Sequence, residues 1–227
     1  MSIPNKLLHV IIIMVFFTLL SVLFVCPSIQ AQKQAPQPGE SVANSPKMVF
    51  GEQWVLKTHR GLRTYKVIDV KSDGSFTFEV KNEEGLVLWN RHYDSNYQIL
   101  GTDFITLGEK SKPGAPWERA LNFPLFIGKK WQNETKGEGA GDITRTFNNM
   151  WKVEKIEMVE TPVGTFSAFR IHRSYRATGL KQDRDQIYWY SPEMKIVIKM
   201  LHTGGYGVKE TFIQNDLVSY QPAATDK

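Results

Sequence analysis

The segment Phe76–Val80 alternates between apolar and polar side chains, and this period of two most restricts what the chain can fold into. Neighbouring residues of a β-strand point to opposite faces, so Phe76, Phe78 and Val80 share one face. Residues Ile196–Met200 repeat the pattern. After residue 31, no segment shows a sustained apolar stripe with the period of a helix. The sequence therefore predicts an all-β domain.

Further runs rich in β-branched and aromatic residues are each bounded by Gly, Asp, Asn or Pro, as strands are. They are Tyr65–Val70, Leu86–Tyr93, Asn96–Leu100, Phe104–Leu107, Phe166–Ile171, Gln186–Tyr190 and Val208–Ile213. The Asp-Gly pair in Ser72–Ser75 suits a tight hairpin, because glycine accepts the positive φ angles of such turns. We expect antiparallel sheets that form a sandwich or a curved half-barrel, since closure protects exposed strand edges.

Two parts of the chain resemble each other. Three segments of the first part recur in the same order in the second, with a growing offset that indicates insertions. The pairs are Phe50–Trp54 with Ile127–Trp131, Lys66-Val67 with Lys152-Val153, and Gly74–Phe76 with Gly164–Phe166. We expect two related β units, each opened by a tryptophan that fills its core. The breaker-rich stretch Gly108–Pro116 is expected to join them without forming an element.

Hydropathy divides the chain into four segments. Residues 1–31 are predicted to be a signal peptide or a retained anchor, because Leu7–Val25 is an uncharged apolar run near the length of a membrane-spanning helix. Ala31 offers a small residue for signal cleavage. Residues 32–47 form a flexible linker poor in large apolar side chains. A first β unit over residues 48–112 and a second over 113–227 are expected to pack as one domain.

Cysteine and charge restrict the partners. Cys26 is the only cysteine, and bulky Phe24 and Val25 precede it where a lipoprotein signal needs small residues. If cleavage follows Ala31, the mature domain has no disulfide. The chain carries 28 Lys and Arg against 23 Asp and Glu, with the two signs interleaved. Because no basic run could follow a phosphate backbone, we expect no nucleic-acid partner, and membrane contact only through an uncleaved N-terminal segment.

Familiar catalytic motifs are missing from the sequence. The histidines after residue 31 are His59, His92, His172 and His202, and none belongs to an H-E-x-x-H zinc motif. No G-x-S-x-G nucleophile motif occurs, and Gly137–Asp142 lacks the helix that a phosphate-binding loop needs. We therefore expect no catalytic residue, metal or cofactor. An unrecognised hydrolase site would need His172 or His202 beside an acid and a nucleophile.

Aromatic residues are the best indication of binding. They make up 12% of the chain, and Tyr188, Trp189 and Tyr190 follow one another on a predicted strand. Trp189 should point opposite to the two tyrosines, so at least one kind of ring leaves the core face. Exposed rings can stack on a sugar or line an apolar cleft. These three residues are the candidate ligand-binding residues, and packing of all three in the core is the alternative.

Several motifs in the second half resemble a group of uncharacterised exported bacterial proteins. The motifs are Phe123–Leu125, Gly128–Trp131, Thr161–Phe166, Ile187–Pro192, Lys195–Met200 and Leu217–Tyr220. The resemblance covers roughly residues 121–220 and implies an exported β-protein, with no established activity. The half-barrel lipoprotein carriers of the LolA type are similar only in architecture, at a greater distance.

These observations predict a noncatalytic exported protein of the periplasm or cell surface, secreted if the N-terminal segment is cleaved and membrane-anchored if it is not. Its expected partner is a small apolar or sugar-like ligand, or another envelope protein. Two alternatives remain open, namely an envelope hydrolase and a purely structural assembly component.

Overall fold

The computed structural model describes residues 36, 39, 41–105, 109–111, 121–138, 144–178, 184–205 and 208–224. These residues belong to one compact unit, residues 36–227. None of them lies in an α-helix, and so the described ranges contain no helical segment that could cross a bilayer. The hydrophobic helix expected near Leu7–Val25 lies outside the described residues. The all-β class predicted from the alternating pattern is confirmed.

Twelve strands follow one another along the chain. They are β1 Gln53–Thr58, β2 Gly61–Val70, β3 Phe76–Lys81, β4 Val87–Tyr93, β5 Ile99–Phe104, β6 Glu109–Ser111, β7 Lys130–Glu138, β8 Thr144–Thr161, β9 Gly164–Ala177, β10 Arg184–Ser191, β11 Ile196–Gly205 and β12 Val208–Gln221.

The strands form one antiparallel sheet in the order β6-β5-β4-β3-β2-β1-β12-β11-β10-β9-β8-β7. Each half of the chain is a meander of strands that are neighbours in sequence. The two meanders join where β1 pairs with β12, with Gln53 opposite Gln221. The described strands therefore form one open, curved sheet, with β6 and β7 at its ends.

The Asp-Gly hairpin is confirmed. Gly74 has a φ angle of 83° between β2 and β3. The Lys71 amide donates to the Ser75 carbonyl at 2.8 Å, and the Ser75 amide donates to Asp73 Oδ1 at 2.9 Å. Because the turn is this short, Val70 lies directly opposite Phe76 across the hairpin.

Two local predictions are wrong. The predicted runs Asn96–Leu100 and Phe104–Leu107 are not two strands, because Ile99, Leu100 and Phe104 belong to one strand, β5, which pairs with β4 along its length. Thr106 and Leu107 lie outside the described residues. The breaker-rich stretch Gly108–Pro116 contains β6, whose Ser111 pairs with Thr102. Composition missed both because pairing to an existing edge can recruit residues with weak intrinsic strand preference.

The two related β units are visible in the hydrogen bonds that precede β1 and β7. The Gly51 amide donates to the Val67 carbonyl at 2.9 Å, and the Gly128 amide donates to the Val153 carbonyl at 2.9 Å. The return bonds run from the Val67 amide to Glu52 and from the Val153 amide to Lys129, again at 2.9 Å. Gly51 and Gly128 both have positive φ angles, of 89° and 83°.

Irregularities of the sheet repeat as well. A β-bulge follows Val67 in β2, and another follows Val153 in β8. Bulges also separate His92 from Tyr93 in β4 and Trp189 from Tyr190 in β10, at matching places of the two meanders. The turns after these strands contain Tyr97 and Lys195, which have positive φ angles of 65° and 62°. Shared bulges and strained turns support a duplicated unit more strongly than shared strands do.

One of the three sequence matches is wrong in register. Val67 lies opposite Phe78, and Val153 lies opposite Ile171, so Phe76 corresponds to Phe169 rather than to Phe166. The β8–β9 hairpin extends beyond the repeat to the turn between Thr161 and Gly164. Val159 and Phe166 on this extension belong to the core of the first half. The longer hairpin therefore joins the two halves through their cores.

The buried apolar side chains form two clusters. The larger contains Trp54, which is fully buried and contacts Phe78 and Tyr220 at centroid distances of 5.7 and 5.6 Å. In the second half the buried indole is Trp151, while Trp131 is half-buried and stacks on it. The expectation that each unit begins with a core-filling tryptophan is therefore right for Trp54 and wrong for Trp131.

Candidate ligand-binding site

The duplicated unit allows one row of side chains to be compared between the two halves. In the first half this row crosses β1 to β5 as Trp54, Tyr65, Val80, Trp89 and Phe104. In the second half the corresponding row crosses β7 to β11 as Trp131, Trp151, Arg173, Gln186 and His202. The first row contains no charged or amide side chain. We call the second row the polar row.

Arg173 lies at the centre of the polar row and is 1% exposed. Its Nε and Nη2 donate to Asn149 Oδ1 at 3.0 and 2.6 Å, and its Nη1 donates to Gln186 Oε1 at 2.5 Å. The guanidinium also lies over the Tyr175 ring at 4.1 Å and the Trp151 ring at 5.2 Å. These contacts hold the cation in a fixed position and orientation.

No carboxylate among the described residues forms an ion pair or a hydrogen bond with Arg173. Its partners are neutral oxygen atoms and aromatic faces. A buried charge is unfavourable unless opposite charge or several dipoles compensate for it. Among the described residues the charge is therefore surrounded by neutral dipoles and aromatic faces, with no acidic side chain to neutralise it.

Amides and hydroxyls extend the network on both sides of Arg173. Asn149 Nδ2 donates to Thr135 Oγ1 at 3.2 Å and to the Asn133 carbonyl at 3.1 Å. On the other side, Tyr188 donates to Gln186 Oε1 at 2.7 Å, and the Gln186 amide is 3.0 Å from His202 Nδ1. Burial raises the pKa of the Tyr188 hydroxyl, and the Arg173 charge acts in the opposite direction.

Two donors beside the network have no partner among the described residues. They are Trp131 Nε1 and Asn133 Nδ2, both buried and both on β7 at the end of the sheet. The Asn133 oxygen is engaged, because Trp151 Nε1 donates to it at 2.8 Å. Buried donors are almost always hydrogen-bonded in native proteins. Trp54 Nε1 and Trp89 Nε1 of the first row also lack a partner among the described residues, so the amide donor Asn133 Nδ2 is what distinguishes this end of the polar row. It makes this end a candidate contact for acceptor groups of a ligand.

The three residues expected to bind a ligand divide between the faces as the alternation predicted. Tyr188 and Tyr190 are 3% and 1% exposed and pack in the core of the second half. Trp189 is half-buried on the opposite face, and its Nε1 donates to Glu157 Oε1 at 2.7 Å. Of the three, Tyr188 belongs to the polar network through its hydroxyl.

The sequence contains one feature that points to Arg173, namely its position in the alternation of β9. On β9 the residues Phe169, Ile171, Tyr175 and Ala177 share the core face, and Arg173 has the same parity. An arginine in an otherwise apolar core face is rare, and it marks a specific requirement. Asn149 and Gln186 become recognisable only when the strand register places them beside it.

Histidines form no metal site among the described residues. His172 lies on the face opposite to the polar row, where its Nε2 is 2.8 Å from Asp185 Oδ1. His202 lies in the polar row, so the sheet separates the two histidines. His92 contacts a hydroxyl and an acid, with Thr77 Oγ1 at 3.0 Å and Asp103 Oδ2 at 3.1 Å. Thr77 is 6% exposed, so its hydroxyl is poorly placed to attack a substrate.

An open hollow of about 710 Å³ crosses β7, β8 and β9. Its exposed side chains are Gln132, Glu134, Asn148, Met150 and Arg176, which alternate along the strands with the buried side chains of the polar network. The hollow therefore lies on the outer face of the sheet. Asn133, Asn149 and Tyr175, which belong to the network around Arg173, also line it.

Because Tyr188 and Tyr190 are buried, we expect the free energy of unfolding to fall at alkaline pH. Burial raises the pKa of both Tyr188 and Tyr190 above the ordinary value of 10.0. Above about pH 10 the unfolded chain releases these phenolic protons and the folded chain keeps them, so stability falls as the pH rises. Each tyrosine should lower the free energy of unfolding by about 1.4 kcal/mol per pH unit in this range. Urea unfolding as a function of pH measures the slope, and Tyr190→Phe should reduce it.

Comparison with known proteins identifies no family. No family model matches the chain, and no curated protein matches it. Several solved structures have a similar fold. A candidate lipoprotein of Parabacteroides distasonis has 13% identity and a TM-score of 0.43, over 80% of this chain and 100% of that chain.

Two further solved structures are similar to the same extent. A candidate exported protein with a YmcC-like fold from Bacteroides fragilis has 12% identity and a TM-score of 0.42, over 79% of this chain and 100% of that chain. The hypothetical lipoprotein YmcC of Escherichia coli has 10% identity and a TM-score of 0.45, over 79% of this chain and 88% of that chain. At such identities no residue role can be transferred to this chain.

Proposed function

We propose that the chain is a noncatalytic, exported protein of the cell envelope that binds a sugar-like ligand along the polar row of its second half. The apolar run Leu7–Val25 and the small residue Ala31 support export. The contrast between the two corresponding rows carries the binding proposal.

The first half shows that this fold needs no charged or amide side chain in the row. Val80 occupies the place of Arg173, and Trp89 occupies the place of Gln186. An apolar row avoids the loss of hydration that a buried cation or amide suffers. Arg173 and Gln186 in the second half therefore meet a requirement other than folding. Recognition of a polar ligand is such a requirement.

Ring and amide groups lie together where the row reaches the end of the sheet. Trp131 and Trp151 stack with a centroid distance of 5.6 Å and an interplanar angle of 4°, and Trp131 remains half-buried. Sugar rings present an apolar face that stacks on indole, and their hydroxyls accept hydrogen bonds from amide and indole N–H groups. A purely apolar ligand would leave Trp131 Nε1 and Asn133 Nδ2 without acceptors.

The experiment is calorimetric titration of the full-length protein with a panel of neutral and acidic oligosaccharides. Trp131→Phe removes the free N–H donor and keeps an aromatic ring, so it should weaken binding about fivefold, the loss expected for one neutral hydrogen bond. Trp189→Phe is the matched control on the opposite face and should leave the affinity unchanged.

The two tryptophan variants separate the remaining possibilities. Loss of binding in Trp189→Phe alone would move the site to the outer face. Failure of every oligosaccharide to bind would overturn the proposal and favour a structural role in an envelope assembly.

A further inference from the structure

We propose that the ligand of the polar row is an anion, specifically an acidic sugar whose carboxylate is held near Arg173. This inference rests on the proposed function and adds the charge of the ligand to it. Arg173 is buried, no described residue in contact with it is acidic, and an apolar residue, Val80, occupies its place in the first half.

None of the described residues that contact the Arg173 side chain is acidic. They are Asn149, Trp151, Tyr175, Gln186 and Tyr188. Arginines buried in proteins are usually paired with a carboxylate or phosphate, because the pair offsets the loss of hydration. An unpaired guanidinium that is 1% exposed therefore favours binding of an anion over binding of a neutral molecule.

The surplus of donors points the same way. Gln186 Oε1 already accepts from both Arg173 and Tyr188, and Asn149 Oδ1 accepts two bonds from Arg173. The acceptors of the network are thus engaged, while Trp131 Nε1 and Asn133 Nδ2 have no acceptor among the described residues. An ionised carboxylate accepts hydrogen bonds and donates none, so it complements a site with unpartnered donors.

Arg170 is an arginine of the second half whose charge is paired with acidic side chains. Arg170 lies on the opposite face of the same strand, where its Nη1 donates to Glu154 Oε2 at 2.7 Å and its Nε is 3.8 Å from Glu157 Oε1. Arg170 is thus paired with acids although it is less buried than Arg173. Among the described residues, the lack of an acidic partner thus distinguishes Arg173 from Arg170 on the same strand.

The test compares an oligogalacturonate with its methyl ester, which has the same ring and hydroxyl groups and no charge. Full-length protein should bind the acid about tenfold more tightly than the ester, the ratio that a single charge-assisted hydrogen bond provides. Added salt should weaken binding of the acid and leave binding of the ester unchanged, because screening acts on charge.

Gln186→Glu places a carboxylate inside the network with little change in shape. It can still accept from Arg173 and Tyr188, and His202 can donate to it, so the variant should fold. Because the new charge neutralises Arg173, the tenfold preference for the acid should shrink to less than about twofold. Gln132→Glu makes the same chemical change on the exposed outer face of β7 and should retain the preference.

The outcomes distinguish this inference from the proposed function. Equal binding of acid and ester by the unaltered protein overturns the inference and leaves sugar binding standing. An undiminished preference in Gln186→Glu also overturns it, since the preference would then arise elsewhere. Binding of neither compound, together with failure of the wider oligosaccharide panel, overturns both.

Discussion

Trp54→Ala is expected to lower the free energy of unfolding by about 4 kcal/mol, the typical loss for truncation of a buried tryptophan. Trp54 is fully buried, and it contacts Phe78 edge-on and Tyr220 across the central seam between β1 and β12. Removal of the indole leaves a cavity between the two halves that the rigid sheet cannot close. Urea unfolding monitored by circular dichroism measures the loss.

Two control variants show whether the loss of stability in Trp54→Ala comes from the lost volume or from the lost polar group of the indole. Trp54 Nε1 has no hydrogen-bond partner among the described residues, so Trp54→Phe loses little beyond ring volume and should cost less than half as much. Trp131→Ala changes the corresponding residue of the second half, which is only half-buried, and should cost about 1 to 2 kcal/mol. Equal losses at Trp54 and Trp131 would contradict the difference in their burial.

Glu52→Ala is expected to lower the free energy of unfolding by about 3 kcal/mol, because it breaks a buried ion pair and leaves one partner unpaired. Glu52 is 4% exposed, and its Oε1 accepts from Lys195 Nζ at 2.6 Å. Its Oε2 accepts from the Val49 amide at 2.9 Å. Burial, followed by the charge of the same carboxylate, raises the pKa of the Tyr220 hydroxyl, which donates to Oε1 at 3.4 Å.

The duplicated unit supplies the control for Glu52. Lys129 holds the corresponding backbone position before β7, and its ammonium donates to the carbonyls of Asn122 and Pro124. Lys129→Ala should cost about 1 kcal/mol, the typical net contribution of a hydrogen bond. In the double variant Glu52→Ala with Lys195→Met, the loss should be smaller than the sum of the two single losses. Additive losses would show that the pair is not coupled.

Much of the fold was predictable because its determinants are local. Period-two alternation identified Phe76–Val80 and Ile196–Met200 as strands, and the Asp-Gly pair identified the turn at Gly74. The match between Phe50–Trp54 and Ile127–Trp131 revealed the repeat, since both turns need a glycine with positive φ at the same place.

Other features depend on contacts between distant residues, and local patterns do not encode them. The extension of the β8–β9 hairpin past the repeat is stabilised by packing of Val159 and Phe166 on the first half. Recruitment of Glu109–Ser111 into β6 depends on an edge supplied by β5. The one-sheet arrangement likewise depends on the pairing of β1 with β12.

The candidate site was harder to predict than the fold. The sequence drew attention to Tyr188, Trp189 and Tyr190 because they are large and adjacent, yet the structure buries both tyrosines. Arg173 was overlooked because a single basic residue in an amphipathic strand resembles a surface residue. Its importance follows from parity along β9 and from comparison with Val80, which requires the register of both halves. Ligand binding at any of these residues stays a prediction.

The place of β12 has a consequence for biosynthesis. β12, the last described strand, lies in the middle of the sheet. β1 therefore cannot complete its pairing until residues more than a hundred positions later have been made. Such long-range contacts slow folding. Until β12 has paired with β1, the first meander keeps one open flank. A stop codon before Val208 would therefore divide the molecule into two separate sheets, whereas loss of an outer strand such as β6 would only trim it.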